Sequence, residues 1–260
     1  MPAQVAFVDC EDAAKWADHL EIFRDAFASQ QGPGEPQPLA WRRYRACAGE
    51  LPSAAELAAL DAIVVPGSHH SAVPDGSPEG HPRWMLAVMD LLRRVVRRGR
   101  PRLFCACFGH QLLAAAMGGE VRQGGSFVFK AEDVELGQPW HDWAGEADLQ
   151  DPPSELRIIE SHGDFVAALP PGAVALGGSA SCRHELFAMG PSVLSCQGHM
   201  EFDAGLVRRR ILPALREGGR LTPEEEAAAQ TSLDAPMDIS PIRHLVRQFL
   251  VGPAAAGARM

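Results

Sequence analysis

The sequence has no long hydrophobic run and no excess of positive charge, and each absence excludes a class of protein. No apolar stretch in the 260 residues is long enough to span a lipid bilayer, and the first residues lack the basic segment and apolar core of a secretory signal. The formal net charge of -9 would repel phosphate backbones and acidic membrane surfaces. We therefore expect a cytoplasmic protein that binds neither nucleic acid nor membranes.

The spacing of the cysteines argues against two kinds of small domain. The six cysteines are scattered along the chain, unlike the dense framework of a disulfide-bonded secreted domain. No Cys-x-x-Cys pair occurs, so a structural zinc site built from two such pairs is not supported. The proportions of hydrophobic (46%) and charged (22%) residues are those of an ordinary globular protein. Without a repeat or a clear linker, we expect a single domain over residues 1–260.

Short apolar runs alternate with helical periodicity in the first half of the chain. VAFVD, AIVV and LFCAC have the length and composition of buried strands. Residues 13–27 and 84–98 repeat apolar side chains at helical spacing. Alternation of strands and helices predicts a parallel sheet. We expect an α/β protein, a three-layer sandwich with a mostly parallel central sheet and its site at the carboxyl ends of the strands.

The second half predicts shorter and less regular elements. Residues 120–136 are predicted to form irregular strands, and Gly190 and Pro191 turn a hairpin between two short strands. Amphipathic residues 205–218 and 242–250 are predicted helices. Residues 137–153, rich in Pro, Asp and Trp, are expected to form a surface insertion.

The stretch FCACFGHQ contains a candidate nucleophile, Cys107. A buried strand runs directly into a helix there, and Gly109 allows a turn sharp enough to expose Cys107 at the carboxyl edge of the sheet. The turn also points the backbone N–H of Phe108 and the helix N-terminus at a carbonyl under attack, and the helix dipole favours a thiolate. Cys105 lies inside the strand, where a reduced core thiol is expected. Alone, the pattern also fits a small buried residue at position 107.

A general base for Cys107 is predicted in SCQGHMEF. His199 and Glu201 are two residues apart, so they share one face if the segment is extended. His199 could take the Cys107 proton and return it to a leaving group, while Glu201 fixes the tautomer. By itself, His-x-Glu is as typical of a solvated strand end as of a site.

The stretch VVPGSHHSA supplies a candidate oxyanion site and a possible metal site. A strand ends at Gly67, where a backbone N–H can approach an oxyanion and form a two-donor hole with that of Phe108. An ordinary turn is the alternative. His69 and His70 with Asp75 could suggest a metal hydrolase, but adjacent histidines point apart on an extended chain and the tighter ligand spacings are missing. We therefore expect no metal and no cofactor.

These pieces, in this order, resemble the class I glutamine amidotransferase superfamily over nearly the whole chain. The resemblance is closer to its GMP-synthase-like branch, and within that branch to the plant-type γ-glutamyl peptidases. The similar stretches are VVPGSHHSA, CFGHQ, IIESHGDFVAALP, ELFAMG and CQGHMEF. The resemblance implies a flavodoxin-like α/β fold with Cys107 as nucleophile and His199 and Glu201 completing a triad. It also implies oxyanion donors at Gly67 and Phe108.

The resemblance extends to substrate-binding positions but is not complete. It places Ser68, Gln111, Ser161 and His162 around a γ-glutamyl group. Cys105 stands where the family usually has Gly, Met200 stands between the His and Glu where Pro is common, and many γ-glutamyl peptidases have Gln at Gly163. None of these differences removes a reacting group, so activity is expected.

The resemblance implies an enzyme with a small γ-glutamyl substrate, and three functions stay open. One is hydrolysis of glutathione or its conjugates through a γ-glutamyl thioester on Cys107. Another is a glutaminase component that delivers ammonia to a separate synthetase partner. The third is a catalytically silent binding or regulatory protein of the same fold, and hydrolysis of folyl γ-glutamates is a more distant possibility. The oligomeric state is not predicted.

Overall fold

The computed structural model describes residues 1–28, 37–77 and 79–252. Its strands are β1 (Ala3–Asp9), β2 (Leu39–Arg45), β3 (Ala62–Val65), β4 (Arg102–Ala106), β5 (Glu120–Leu136), β6 (Leu156–Ala168), β7 (Val174–Gly178), β8 (Leu186–Ala188) and β9 (Val193–Cys196). They form one sheet in the order β2-β1-β3-β4-β9-β8-β7-β5-β6. The first five strands in this order, which end with β9, are parallel to one another. Each pairing from β9 onward to β6 is antiparallel.

The helices connect these strands and close the chain. They are α1 (His19–Ala26), α2 (Ala54–Ala59), α3 (Arg83–Arg98), α4 (Phe108–Ala116), α5 (Gln138–Glu146), α6 (Ala204–Leu206), α7 (Leu212–Glu217), α8 (Pro223–Ser232) and α9 (Ser240–Val251). A π-helical turn, Val207–Ile211, joins α6 to α7, and short 3-10 turns cover Ala14–Trp16 and Ala46–Ala48. Within the described ranges, no helix combines the length and apolar character needed to cross a membrane.

Helices cover both faces of the sheet, which explains the uniformly apolar central strands. On one face α1 and α9 pack side chains such as Phe23 and Phe249, and on the other face α3 and α4 pack Leu92 and Leu113. Parallel strands buried on both faces show continuous apolar runs, as β3 and β4 do. The predicted three-layer α/β fold is confirmed, and its parallel half ends at one common edge.

The helix boundaries follow local chemistry. Ser53 caps α2 in a capping box with Glu56, because each side chain bonds the other residue's backbone N–H. Helix α3 ends at Gly99, whose φ of 65° is accessible to glycine at little cost.

The expectation of a surface insertion over residues 137–153 is wrong. Residues 138–146 form α5, and Trp140 and Trp143 are buried in the same hydrophobic cluster as α1 and α9. Their indole N–H groups donate to the carbonyls of Pro153 and Gly190 at 2.9 and 3.1 Å. The polar composition that suggested a loop belongs to the exposed side of an amphipathic helix.

The antiparallel end of the sheet carries a further hydrophobic cluster. β5 is one bulged strand rather than several, and residues 120–123 and 128–134 of it pair with β6. The helical region after β9 packs against this pair: Leu212 of α7 and Ala229 of α8 share a buried cluster with Phe129 of β5 and Ile159 of β6. Helix α8 was not predicted from periodicity, because alanine supplies most of its apolar residues and only Ala229 and Leu233 at its end are buried.

Candidate active site

Cys107 occupies a sharp turn between β4 and α4. Its φ of 50° and ψ of -109° are unusual for a residue with a side chain, and such strain occurs often at functional sites. Its N–H donates to the carbonyl of Cys196 at 2.9 Å, which ties the turn to β9. Only glycine fits at position 109, since a Cβ there would lie 2.2 Å from the Val65 carbonyl oxygen. The turn places the Cys107 side chain at the carboxyl edge of the parallel strands.

His199 and Glu201 lie beside Cys107 and contact each other. His199 Nδ1 lies 2.7 Å from Glu201 Oε1, within hydrogen-bonding distance, and the His199 backbone N–H donates to the Ile159 carbonyl at 2.9 Å. The imidazole stacks on Phe202 with 4.2 Å between ring centroids. Because this packing buries the ring and the carboxylate accepts from Nδ1, His199 Nε2 is left for another partner.

The electrostatics of His199 favour its protonated form. Burial alone lowers the pKa of His199, but the Glu201 carboxylate and the Cys107 sulfur act in the other direction, and the resulting pKa lies well above its usual value. A cationic imidazole next to a thiol favours the thiolate, which is the nucleophilic form of cysteine. The proton that His199 holds therefore lies beside the candidate nucleophile.

Gly67 and Phe108 flank the sulfur. A Cβ at Gly67 would lie 3.1 Å from His199 Cε1, 3.4 Å from Cys107 Cβ and 3.8 Å from Cys107 Sγ. Phe108 is the first residue of α4, and the first N–H groups of a helix have no partner within it. The backbone at Gly67, which follows β3, and the backbone at Phe108, which begins α4, thus both lie next to the Cys107 side chain.

The four predicted substrate-binding residues line one cavity with Cys107. Ser161 faces the nucleophile, since its carbonyl oxygen lies 3.9 Å from Cys107 Sγ. Gln111 and His162 are held by the Asp164 carbonyl, which lies 2.8 Å from Gln111 Nε2 and 2.9 Å from His162 Nδ1. The Ser68 hydroxyl donates to the Cys10 carbonyl at 2.7 Å, so it fixes the loop at the cavity wall.

The cavity is large and chemically mixed. Its volume is about 700 Å³. Trp16, Phe127 and Leu215 provide apolar surface, while Lys15 and Arg220 provide positive charge. The two helical regions that follow β1 and β9 contribute part of this wall, so residues far from Cys107 in sequence shape the space in front of it.

Three glutamates under the site were missed from the sequence. Carboxylate oxygens of Glu132, Glu160 and Glu185 lie within 4.8 Å of one another, and Glu160 and Glu185 are fully buried. Burial raises the pKa of both Glu160 and Glu185 well above the ordinary carboxyl value. Glu160 Oε2 is 3.4 Å from His162 Nε2. No local pattern could have revealed this cluster, because its members come from β5, β6 and the turn before β8.

The structure corrects the expectation for His69 and His70. The two rings do not point apart, since their centroids are 4.1 Å apart with an interplanar angle of 34°. The chain bends at these residues rather than continuing β3, so the alternation of an extended strand does not apply. Asp75, which the sequence grouped with them, instead accepts from the Ser77 backbone N–H at 2.9 Å.

An α/β fold that brings a cysteine, a histidine and a carboxylate to one sheet edge is typical of cysteine-dependent acyl-transfer enzymes. The family model for glutamine amidotransferase class-I matches residues 54–214. The chain belongs to this family of enzymes.

Three comparisons describe the relationship further. The chain is 30% identical over 193 residues to gamma-glutamyl peptidase 4 of Arabidopsis thaliana, which covers 71% of this chain and 70% of the relative. It is 34% identical over 82 residues to a glutamine-hydrolyzing GMP synthase component of Methanoculleus marisnigri, 32% of this chain and 41% of the relative. A crystal structure of a glutamine amido transferase from Methylobacillus flagellatus superposes with a TM-score of 0.67 at 20% identity, covering 96% of this chain and 93% of that one. The last similarity concerns the fold alone.

Proposed function

We propose that the protein hydrolyses the γ-glutamyl amide bond of glutathione or of glutathione conjugates through a γ-glutamyl thioester on Cys107. The observation that carries this proposal is the contact of 2.7 Å between His199 and Glu201 beside a cysteine at the N-terminus of α4. The relatives named gamma-glutamyl peptidase support the choice of substrate.

The residues act in a defined order in this proposal. His199 Nε2 takes the Cys107 proton, and the thiolate attacks the γ-carbonyl carbon. The N–H groups of Gly67 and Phe108 stabilise the resulting oxyanion. When the C–N bond breaks, His199 gives its proton to the leaving amine. A water molecule, deprotonated by His199, then cleaves the thioester to release glutamate and restore the thiol.

The size of the cavity supports the proposal of a leaving group larger than ammonia. A volume of about 700 Å³ lies within the range of about 300–1,000 Å³ that is usual for sites of drug-sized ligands. The apolar surface of Trp16, Phe127 and Leu215 suits the S-substituent of a conjugate, and Lys15 or Arg220 can pair with the carboxylate of a Cys-Gly moiety.

The test compares glutathione, a glutathione S-conjugate and glutamine as substrates. Glutamate, Cys-Gly products and ammonia are quantified for the wild-type protein, for Cys107→Ala and for Cys105→Ala. We expect glutamate and the Cys-Gly product in equal amounts, with a loss of at least about a thousandfold in Cys107→Ala. Cys105→Ala is the matched control, because this thiol is buried within β4.

The same assay distinguishes the second candidate. The local similarity to the glutamine-hydrolyzing component of GMP synthase favours a glutaminase that serves a separate synthetase. Ammonia from glutamine alone would support that function and contradict the peptidase. Absence of turnover with all three substrates would favour a binding or regulatory role.

A further inference from the structure

A cysteine, two histidines and an aspartate meet at the carboxyl ends of three adjacent strands, on one side of the candidate active site. Asp12 follows β1, Cys47 lies in the turn after β2, and His69 and His70 follow β3. We propose that Asp12 Oδ1, Cys47 Sγ and His70 Nε2 bind a divalent metal ion of the zinc class and that His69 Nε2 is the fourth ligand of the bound form. The proposed hydrolysis uses none of the four.

The candidate ligand atoms of Asp12, Cys47 and His70 all lie within 4.8 Å of one another, and His69 joins this group through its contact with Asp12. His70 Nε2 lies 3.4 Å from Asp12 Oδ1 and 3.9 Å from Cys47 Sγ, and His69 Nε2 lies 3.6 Å from the same Asp12 oxygen. Tetrahedral zinc bonds of about 2.0–2.3 Å place N and O about 3.3 Å apart and N and S about 3.6 Å apart. An N–H···O hydrogen bond is shorter, about 2.9 Å. Both His–Asp distances are thus closer to the spacing of two zinc ligands than to a hydrogen bond.

Glu11 orients His69 as the partner of a metal ligand would. Its Oε1 lies 2.6 Å from His69 Nδ1, and its Oε2 accepts from the His69 backbone N–H at 2.9 Å. The Glu11 side chain is only 3% exposed, so it is an acceptor held in place by the fold. A hydrogen on Nδ1 leaves the lone pair on Nε2, which faces Asp12. Carboxylates bonded to the far nitrogen of a ligating histidine are a regular feature of zinc sites.

Charge and access also suit a metal of this class. One thiolate and one carboxylate would balance the two positive charges of the ion. Sulfur and imidazole nitrogen favour zinc or cobalt, whereas magnesium and calcium prefer oxygen ligands. The side chains of Asp12 and His69 are 54% and 47% exposed, so an ion can enter from solvent. His70 packs against Trp84 at 5.1 Å between ring centroids, which gives the site a fixed wall.

The experiment titrates metal-free protein with Co²⁺ and then with Zn²⁺. All variants also carry Cys107→Ala, so that the candidate nucleophile cannot bind the ion. We expect one equivalent of cobalt, with the visible bands of tetrahedral coordination and a near-ultraviolet thiolate-to-cobalt band, displaced by zinc. Cys47→Ser should abolish the thiolate band, and Glu11→Gln should weaken zinc binding about 10- to 100-fold. Thermal unfolding of the metal-free variants checks that each is folded.

The controls lie outside the cluster. Cys182→Ser removes a buried thiol near β8, and His141→Gln removes a histidine of α5, so neither should change stoichiometry or affinity. The proposal is overturned if no cobalt binds, or if the thiolate band persists in Cys47→Ser. It is equally overturned if the wild-type protein binds cobalt and Cys107→Ala does not. None of these measurements depends on hydrolytic activity.

Discussion

Gly67 has room for only a hydrogen atom on the side that faces the nucleophile. A methyl group there would contact His199 Cε1 at 3.1 Å and Cys107 Cβ at 3.4 Å. The first distance is shorter than a comfortable carbon–carbon contact, so the imidazole must move by a few tenths of an ångström. The requirement for glycine is therefore set by the reacting side chains rather than by backbone conformation.

We predict that Gly67→Ala lowers kcat about tenfold or more and changes stability little, since small displacements of reacting groups are costly to catalysis. Steady-state kinetics with a γ-glutamyl substrate and a thermal melt measure the two effects. Gly125→Ala is the matched control, because a Cβ at Gly125 has no neighbour within 4 Å. An unchanged kcat in Gly67→Ala would contradict the placement of this glycine beside the reacting atoms.

At the scale of elements, α5 contributes to the core rather than to a lid over the site. Trp140 is fully buried and stacks on Trp143 with 5.6 Å between ring centroids. Trp143 in turn contacts Phe249 of α9 at 5.7 Å. The helix thus joins the antiparallel strands to the last helix of the described chain.

We predict that Trp140→Ala lowers the free energy of unfolding by about 3–5 kcal/mol, the usual loss for a large aromatic removed from a core. Denaturant unfolding measures the change. Glu146 in the same helix is exposed, so the free energy of unfolding of Glu146→Ala should stay within about 0.5 kcal/mol of wild type. A loss below about 1 kcal/mol for Trp140→Ala would show that α5 is a peripheral insertion after all.

The contrast between α5 and β4 shows which parts of the structure local sequence patterns could predict. β4 and the turn at Cys107 were predictable, because an apolar run followed by a glycine-containing turn has few alternative structures. The buried side of α5 was not, since two tryptophans within a polar segment give too short a periodic signal. The cluster of Glu132, Glu160 and Glu185 depends on how β5 and β6 join the sheet, and strand order is not a local property.

At the scale of the whole molecule, buried titratable groups set the pH dependence of stability. His110 is fully buried, and burial lowers its pKa to about 3. This depressed pKa contributes stability that is present above the unfolded value near 6.5 and is lost as the pH falls.

Glu160 and Glu185 change the stability in the opposite direction. Their raised pKa values keep these two carboxyls protonated in the folded protein at pH values where they are ionised in the unfolded chain. Stability from these carboxyls therefore falls as the pH rises above about 4.5.

The surroundings of Glu185 allow its share of this pH dependence to be measured. Its carboxyl group accepts from the Ser179 hydroxyl at 2.7 Å, and Glu132, Glu160 and His162 are the charged groups that face it. In Glu185→Gln the amide oxygen can keep the bond to Ser179, while the amide N–H can donate to a Glu160 oxygen and stabilise its ionised form. We expect the variant to gain stability relative to wild type as the pH rises from about 5 to about 8. The difference in the free energy of unfolding between variant and wild type can change by at most about 1.4 kcal/mol per pH unit for each titrating group.

Melting temperatures across this pH range measure the difference between Glu185→Gln and the wild-type protein. Glu146→Gln serves as the control, because Glu146 is exposed on α5 and its replacement should not change the pH dependence of stability. If the difference between Glu185→Gln and wild type stays constant with pH, Glu185 ionises in the folded protein as it does in the unfolded chain. Glu185 would then make no contribution to the loss of stability expected as the pH rises.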